Sequence, residues 1–292
     1  MKLIAVVLSW NGREDTLACL ESLRGADTVC VDNGSSDGSA DAVAERFPEV
    51  ELIRTEVNLG FAAGNNIGIR RALDRSADWV LLVNNDASVE PGIADALVGA
   101  AEARPDAGVL ACKVLFAGAD RLWYAGAAFG AYLGRSRHEG FGDPDAPGEL
   151  RDTVRATGAG MAVSRAAIEA AGLFDEELFL YAEDLEWCLR IRAAGFAVVY
   201  VPGARVRHRV SAASGGAGSP TTSYYETRNM LAVVERYRPL PRGARGLRRA
   251  LVVAPRILQS LHRPQSAYAA VRGWRDYRRG RMGRGPHYWK EH

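Results

Sequence analysis

Residues 78–92 read DWVLLVNNDASVEPG. An apolar run from Trp79 to Val83 stops at Asn84-Asn85-Asp86, and a helix-start signal follows at Pro91. A run this continuous has the character of a strand covered on both faces, as strands of a parallel sheet are. Its end is two amides and one carboxylate, with no Lys or Arg beside them. Upstream the pattern recurs. LIAVVLSW (3–10) ends at Ser9-Trp10-Asn11, TVCVD (28–32) at Asp32-Asn33-Gly34-Ser35-Ser36, and VELIRT (50–55) leads to Asn58-Leu59-Gly60. Helical spacing separates these runs at Leu17, Leu20 and Leu23, at Ala42, Val43 and Phe47, and over 62–73 and 92–104. Strand and helix in alternation predict an α/β fold with a mostly parallel, Rossmann-like sheet flanked by helices. In such sheets ligands bind beyond the carboxyl ends of the strands. Loops there are polar in general. Here the polarity is amide and small acid rather than Lys and Glu, which favours a shared ligand edge.

Beyond residue 105 the pattern changes. GVLACKVLFAG and RLWYAGAAFGAYLG read as strands and a hairpin, and ATGAGMAVSRAAIEAAG as a strand and a helix. EDLEWCLRIRAAG (183–195) is a helix with a Glu186–Arg190 pair at i,i+4 and a Gly195 stop. FAVVYVPGARVRHRV returns to strand, and SAASGGAGSP (211–220) reads either as a lid over a bound ligand or as a linker.

The 292 residues are 48% apolar and 25% charged, with a net charge of +2. That balance suits a globular chain and gives no sign of a nucleic-acid partner. Four cysteines form no CxxC pair and read as buried, reduced thiols of a cytoplasmic protein. No apolar run reaches the ~18 residues that cross a bilayer. The opening LIAVVL reads as a buried strand rather than a secretory leader. Charge is uneven, however: twelve arginines lie between 242 and 284, interleaved with Leu251, Val252, Val253, Ile257, Leu258 and Leu261. Such a helical tail fits an anionic membrane surface at the inner face. The competing reading packs it on its own domain or in a homodimer, with its arginine face solvated.

Five residues stand out for chemistry. Asp86, at a strand end, can hold a hard cation that bridges phosphates; otherwise it is a capping or turn acid. Asp32 can accept hydrogen bonds from a base or ribose, although Asn-Gly and Asp-Gly also make it an ordinary turn. Glu183 and Asp184 open a helix, where acids are favoured electrostatically; functionally, one can bind substrate while the other takes a proton. His208 can complete a metal site or be structural.

Taken in order, VVLSWNGREDTLACLESL, VDNGSSDGS, NLGFAAGNNIGI, LLVNNDASVEPG, GLFDEELFLYAEDLEWCLRIRAAGF and VRHRVSAAS…YYETRNML resemble glycosyltransferase family 2, near its rhamnosyltransferase-like members. The resemblance covers about residues 1–235. It implies a GT-A fold, with a nucleotide-binding half (1–104) and an acceptor-binding half (105–235); the charge pattern adds a basic helical extension (236–292). By the same resemblance Asp32 holds the nucleobase or ribose, flanked by Trp10 and Asn11, and Asn58 and Gly60 shape the nucleotide pocket. Asn84-Asn85-Asp86 stands where the family carries Asp-x-Asp, so Asp86 holds Mg2+ or Mn2+ and His208 matches a metal-ligating histidine of some members. Asp184 matches the general base, assisted by Glu183, and Arg228 is placed near the diphosphate. Asn84 departs from the motif and lends the metal less negative charge. The Gln-x-x-Arg-Trp motif of processive members is absent, which implies one sugar per encounter. The implied reaction is metal-dependent, inverting transfer of a deoxysugar such as L-rhamnose. The donor is dTDP- or UDP-linked, and the acceptor a glycan, glycolipid or natural product. The alternatives are a sugar nucleotidyltransferase and a catalytically silent nucleotide-sugar-binding protein of the same fold.

Overall fold

The computed structural model describes residues 1–210, 218–259 and 262–286. Most of the stretch read as a lid or linker (211–217), and Leu261 of the tail, lie outside the described residues. The chain begins as β1 (Leu3–Ser9), α1 (Arg13–Ser22), β2 (Thr28–Asp32), α2 (Ser39–Arg46), β3 (Glu51–Arg54), α3 (Gly60–Asp74) and β4 (Trp79–Asn84). It continues with β5 (Ala87–Val89), α4 (Ile93–Ala103), β6 (Ala107–Phe116), β7 (Leu122–Tyr124), β8 (Ala127–Gly130), β9 (Arg135–His138), β10 (Arg151–Asp152) and β11 (Met161–Ser164). Then come α5 (Arg165–Ala171), a 3-10 turn (Glu176–Leu178), α6 (Glu183–Ala193), β12 (Ala197–His208), α7 (Pro220–Tyr237), α8 (Arg242–Gln259) and α9 (Pro264–Arg278).

The central sheet runs in the order β10-β12-β6-β11-β4-β1-β2-β3, with β5 on β12 and β7 on β6. Its β3-β2-β1-β4 portion is parallel, as the alternation predicts. Further on the sheet is mixed: β11 inserts antiparallel between β4 and β6, while β12 lies parallel to β6. The apolar runs are buried, Ile4 to Leu8, Val29 to Val31 and Val80 to Val83 forming the middle of one continuous core. β8 and β9 pair as a separate hairpin.

Register sets the ligand edge. Ser9 pairs with Asp32 and Leu8 with Asn84, so three strand ends finish level. From the other side, β12 brings His208 opposite Ala87, one residue past Asp86. A register shift between Val201 and Arg205, at Pro202-Gly203, lets this long strand stay on β6 while it also reaches β5.

The tail is helical and packed on the domain. α9 lies along α7, where Gly273 leaves no room for a Cβ against the Tyr224 carbonyl. Tyr224 Oη donates to Asp276 (3.0 Å), and Val252 and Val253 of α8 close over Leu231 of α7. The expected break after residue 235 falls within the last turn of α7.

Candidate active site

Amides knit the ends of the parallel strands together. Asn33, 2% exposed, donates through Nδ2 to Asn58 Oδ1 and the Gly60 carbonyl (both 3.2 Å) and accepts from Leu59 N (3.0 Å). Asn58 Oδ1 also accepts from Gly60 N (2.8 Å), so Asn58 organises its own loop. Asn11, at φ +57°, accepts from Ser36 N at 2.9 Å, and its own N–H donates to Ser35 Oγ (2.9 Å). Asn85 Nδ2 donates to the Asn11 carbonyl (3.2 Å) and Thr16 Oγ1 (3.0 Å). Trp10 is half-buried at the end of β1, and Asn84 is half-buried as the last residue of β4. Within this frame Asp32 is 3% exposed. One of its oxygens accepts from Ser35 N (3.0 Å), while the other, Oδ2, is buried with no hydrogen-bond partner. A buried acceptor of this kind is costly to leave unmatched, and a base or ribose donor would satisfy it.

Asp86 and His208 form the second element. His208 Nε2 lies 2.9 Å from Asp86 Oδ1. A carboxylate only accepts, so the ring donates from Nε2, and the buried Nδ1 has no hydrogen-bond partner. The pair is further fixed by Arg209 N, which donates to the Asp86 carbonyl (2.9 Å), and by the Arg209–Asp15 ion pair. Carboxylate oxygen is the donor that Mg2+ or Mn2+ prefers, and an imidazole nitrogen beside it suits Mn2+ better than the harder Mg2+. Asp86 and His208 fit such an ion as a partial shell once the His208 proton moves from Nε2 to Nδ1, which frees the Nε2 lone pair beside the carboxylate. Among the described residues no cluster of three or more His, Cys, Asp or Glu exists to complete it, so the remaining ligands would have to come from substrate oxygens or water.

Glu183 and Asp184 form the third. Asp184 accepts from Leu185 N (2.6 Å) and from Arg155 Nη1 (2.8 Å), with both ion-pair partners 13% exposed. Arg155 Nη2 lies 2.7 Å from His138 Nε2. A guanidinium cannot accept, so His138 carries its proton on Nδ1 and donates it to the Trp123 carbonyl (3.0 Å). Burial first, then the Arg155 charge, lowers His138 to about 4, so the ring is neutral. Glu183 is pushed up to about 8 by burial and by the neighbouring Asp184, and its Oε2 has no hydrogen-bond partner.

The three elements form one contiguous set. Trp123 stands edge-on to both His208 (centroids 4.8 Å) and His138 (4.4 Å). Asp86 is thereby joined through His208, Trp123, His138 and Arg155 to Asp184. On the other flank Asn85, Asn11 and Ser35 join it to Asp32. Sequence reasoning missed Arg155, His138, Trp123 and Asn33.

The loop before the acids is strained. Phe179, Tyr181 and Ala182 have φ of +62°, +66° and +68°, each costing on the order of 1–3 kcal/mol unless its surroundings hold it. Phe61 N donates to the Phe179 carbonyl (2.7 Å), and Asn229 Nδ2 donates to the carbonyls of Leu178, Leu180 and Tyr181 at 2.7–2.8 Å. Arg228, 1% exposed, directs its guanidinium at the Leu178 (3.1 Å) and Gly283 (2.7 Å) carbonyls and at Asn229 (2.9 Å). Its described partners therefore belong to this loop, to α7 itself and to the tail. Gly60, at φ +88°, touches the same loop, since a Cβ there would lie 2.5 Å from the Phe179 ring. Gly60→Ala is expected to lower stability by roughly 1–3 kcal/mol in chemical denaturation; an unchanged midpoint would contradict this packing.

Glu183 gives a pH signature. A carboxyl whose folded value (about 8) exceeds its unfolded value (4.5) holds its proton better when folded. Stability is therefore full below the unfolded value and drains as pH rises through the folded one. His138 works oppositely but only below its unfolded value of 6.5. Between pH 6.5 and 8 the wild type should lose thermal stability that Glu183→Gln keeps; parallel melting curves for the two proteins would reject the assignment.

The pattern described as "Glycosyltransferase like family 2" matches residues 3–231. The chain belongs to this glycosyltransferase family. The N-acetylglucosaminyl-diphospho-decaprenol L-rhamnosyltransferase of Mycobacterium tuberculosis is 31% identical over 218 residues, covering 67% of this chain and 70% of that one. The dTDP-rhamnosyl transferase RfbF of Shigella flexneri is 25% identical over 242 residues, covering 80% and 79%. Among solved structures, the mannosyltransferase PcManGT of Pyrobaculum calidifontis, in complex with GDP-Man and Mn2+, superposes with a TM-score of 0.58 at 18% identity, covering 96% of this chain and 82% of that one. This likeness shows the GT-A fold. As a family 2 glycosyltransferase the chain is an enzyme, and the nucleotidyltransferase alternative is set aside.

Proposed function

We propose that this family 2 enzyme transfers a single deoxysugar, of the L-rhamnose class, from a dTDP- or UDP-linked donor to an acceptor hydroxyl with inversion. The observation that carries the reading is the link between the Asp86–His208 pair and the Asp184–Arg155 pair through Trp123, which touches His208 and His138, with His138 in turn bonded to Arg155. The unmatched Asp32 Oδ2 stands on the same edge to receive the nucleoside. The names of the two rhamnosyltransferase relatives favour the sugar, and the first also favours a lipid-linked glycan among the acceptors. Asp86 and His208 would hold Mg2+ or Mn2+, which when bound offsets negative charge on a departing diphosphate.

In this reading Asp184 accepts the proton of the acceptor hydroxyl. Arg155, itself held by His138, orients the carboxylate, and the adjacent Glu183 can donate a hydrogen bond because burial keeps it protonated near neutral pH. Asn84 and Asn85 meet neutral hydroxyls or tie loops, leaving Asp86 as the single charge at the end of β4. Arg228 and Asn229 act by fixing the loop that presents Glu183 and Asp184, rather than at the diphosphate. Peripheral contact with the inner face of a membrane belongs to the same proposal.

A thermal-shift screen of nucleotide sugars with and without Mn2+ tests the donor class. A ligand at 100 times its Kd adds about 2.7 kcal/mol, so dTDP-L-rhamnose should raise the midpoint clearly and more so with the metal. A screen in which no nucleotide sugar shifts the midpoint would reject the reading. Product anomeric configuration, read by NMR, should be opposite to the donor's; retention would exclude direct displacement.

A further inference from the structure

Helix α8 engages four of its five arginines with the rest of the chain, leaving Arg242 exposed at its start. Arg245 Nε donates to the Leu240 carbonyl (2.7 Å), Arg248 is 4% exposed and donates to the Arg238 carbonyl, and Arg249 pairs with Glu235 at 2.6 Å. Arg256 donates to the carbonyls of Val252 (2.6 Å) and Gly134 (3.2 Å). The outward face is apolar instead: Leu247, Leu251 and Leu258 are 67%, 48% and 62% exposed, with exposed Ala250 and Ala254 between them. Spaced by three and four residues, these side chains form one stripe. A surface helix normally shows the reverse arrangement. Single exposed leucines need no explanation, but a continuous row marks an interaction surface.

We propose that this stripe seats on an anionic lipid bilayer, with α8 lying along the interface. Charge selects the occupant. Between 236 and 286 the sequence holds fourteen arginines and one acid, Asp276. Arg238, Arg242, Arg272 and Arg275 are exposed. Two such cationic surfaces repel when placed face to face, which disfavours a second copy, whereas anionic headgroups are attracted. No described helix is long and apolar enough to cross a membrane, so the contact is peripheral, leucines in the acyl boundary and arginines at headgroup level. The inference deepens the reading of a lipid-linked acceptor and rests on it only for its purpose; the test reads binding, not transfer.

The full chain is sedimented with vesicles of phosphatidylcholine alone or mixed with phosphatidylglycerol. Wild type should partition onto the anionic vesicles. The Leu247→Ser, Leu251→Ser, Leu258→Ser triple variant should partition at least tenfold less, with its thermal midpoint unchanged. As a second readout, Leu251→Cys carrying a polarity-sensitive dye should shift to the blue on anionic vesicles; the native cysteines are all buried. Absence of wild-type partitioning, equal partitioning of the triple variant or an unmoved dye would each overturn the proposal. So would light scattering that shows a dimer dissolved by the triple substitution.

Discussion

Asp184→Asn is expected to lower kcat by about 10²–10⁴-fold, the usual contribution of a general base, while the donor still binds with wild-type affinity. The substitution keeps the side chain's size and an oxygen for Leu185 N, so the start of α6 should persist. What it removes is the anionic oxygen that faces Arg155 and would take the acceptor's proton. Donor binding should survive because the proposed nucleoside and diphosphate contacts lie on Asp32, Asp86 and His208. Titration calorimetry of the donor, beside steady-state transfer, separates the two effects, and a thermal midpoint close to wild type confirms that the variant is folded. Near-full transfer by Asp184→Asn would remove Asp184 from the chemistry.

The second large effect concerns Asp86. Asp86→Ala should lower kcat/KM by roughly 10²–10³-fold, the scale seen when a preorganised group that stabilises developing charge is removed. Its distinguishing mark is in binding: wild-type affinity for the donor should rise with Mn2+, and the variant's should not. Removing the carboxylate leaves His208 Nε2 facing an apolar methyl and dissolves the pair that would hold the ion. Donor affinity in Asp86→Ala that still rises with Mn2+ as in the wild type would take the metal role away from this residue.

The parallel half of the sheet was legible in the sequence for a simple reason. Long continuous apolar runs in β1 (3–8) and β4 (79–83), shorter ones in β2 and β3, and helical spacing after each admit few alternatives, and the edge rule then points to the carboxyl ends where Asp32 and Asn84-Asn85-Asp86 sit. Strand direction beyond β4 was not legible. An apolar run such as Met161–Val163 looks the same in either direction, and its antiparallel place between β4 and β6 follows from tertiary packing. Arg155 was invisible because its partners lie 29 residues downstream at Asp184 and 17 upstream at His138, in a segment without periodicity. The Glu186–Arg190 pair forms at 2.8 Å as its spacing suggests. The sequence could not show that Glu186 is 1% exposed and shared with Arg236 and Tyr237.

Arg228 and α8 illustrate a further limit. Both were read by residue type, an arginine for a diphosphate and a row of arginines for an anionic membrane surface or for solvent. In the structure those guanidiniums meet carbonyls and carboxylates contributed by distant segments: residue 178 for Arg228, 235 for Arg249 and 134 for Arg256. A long, multivalent donor finds acceptors wherever the fold supplies them, and no local pattern announces which.

The most direct measurement is a crystal structure of the enzyme with dTDP and Mn2+. The account predicts the ion bound by Asp86 and His208, the nucleoside hydrogen-bonded to Asp32, and an open face of the diphosphate turned toward Asp184. A nucleotide held away from β1, β2 and β4, or an ion that touches neither Asp86 nor His208, would contradict it.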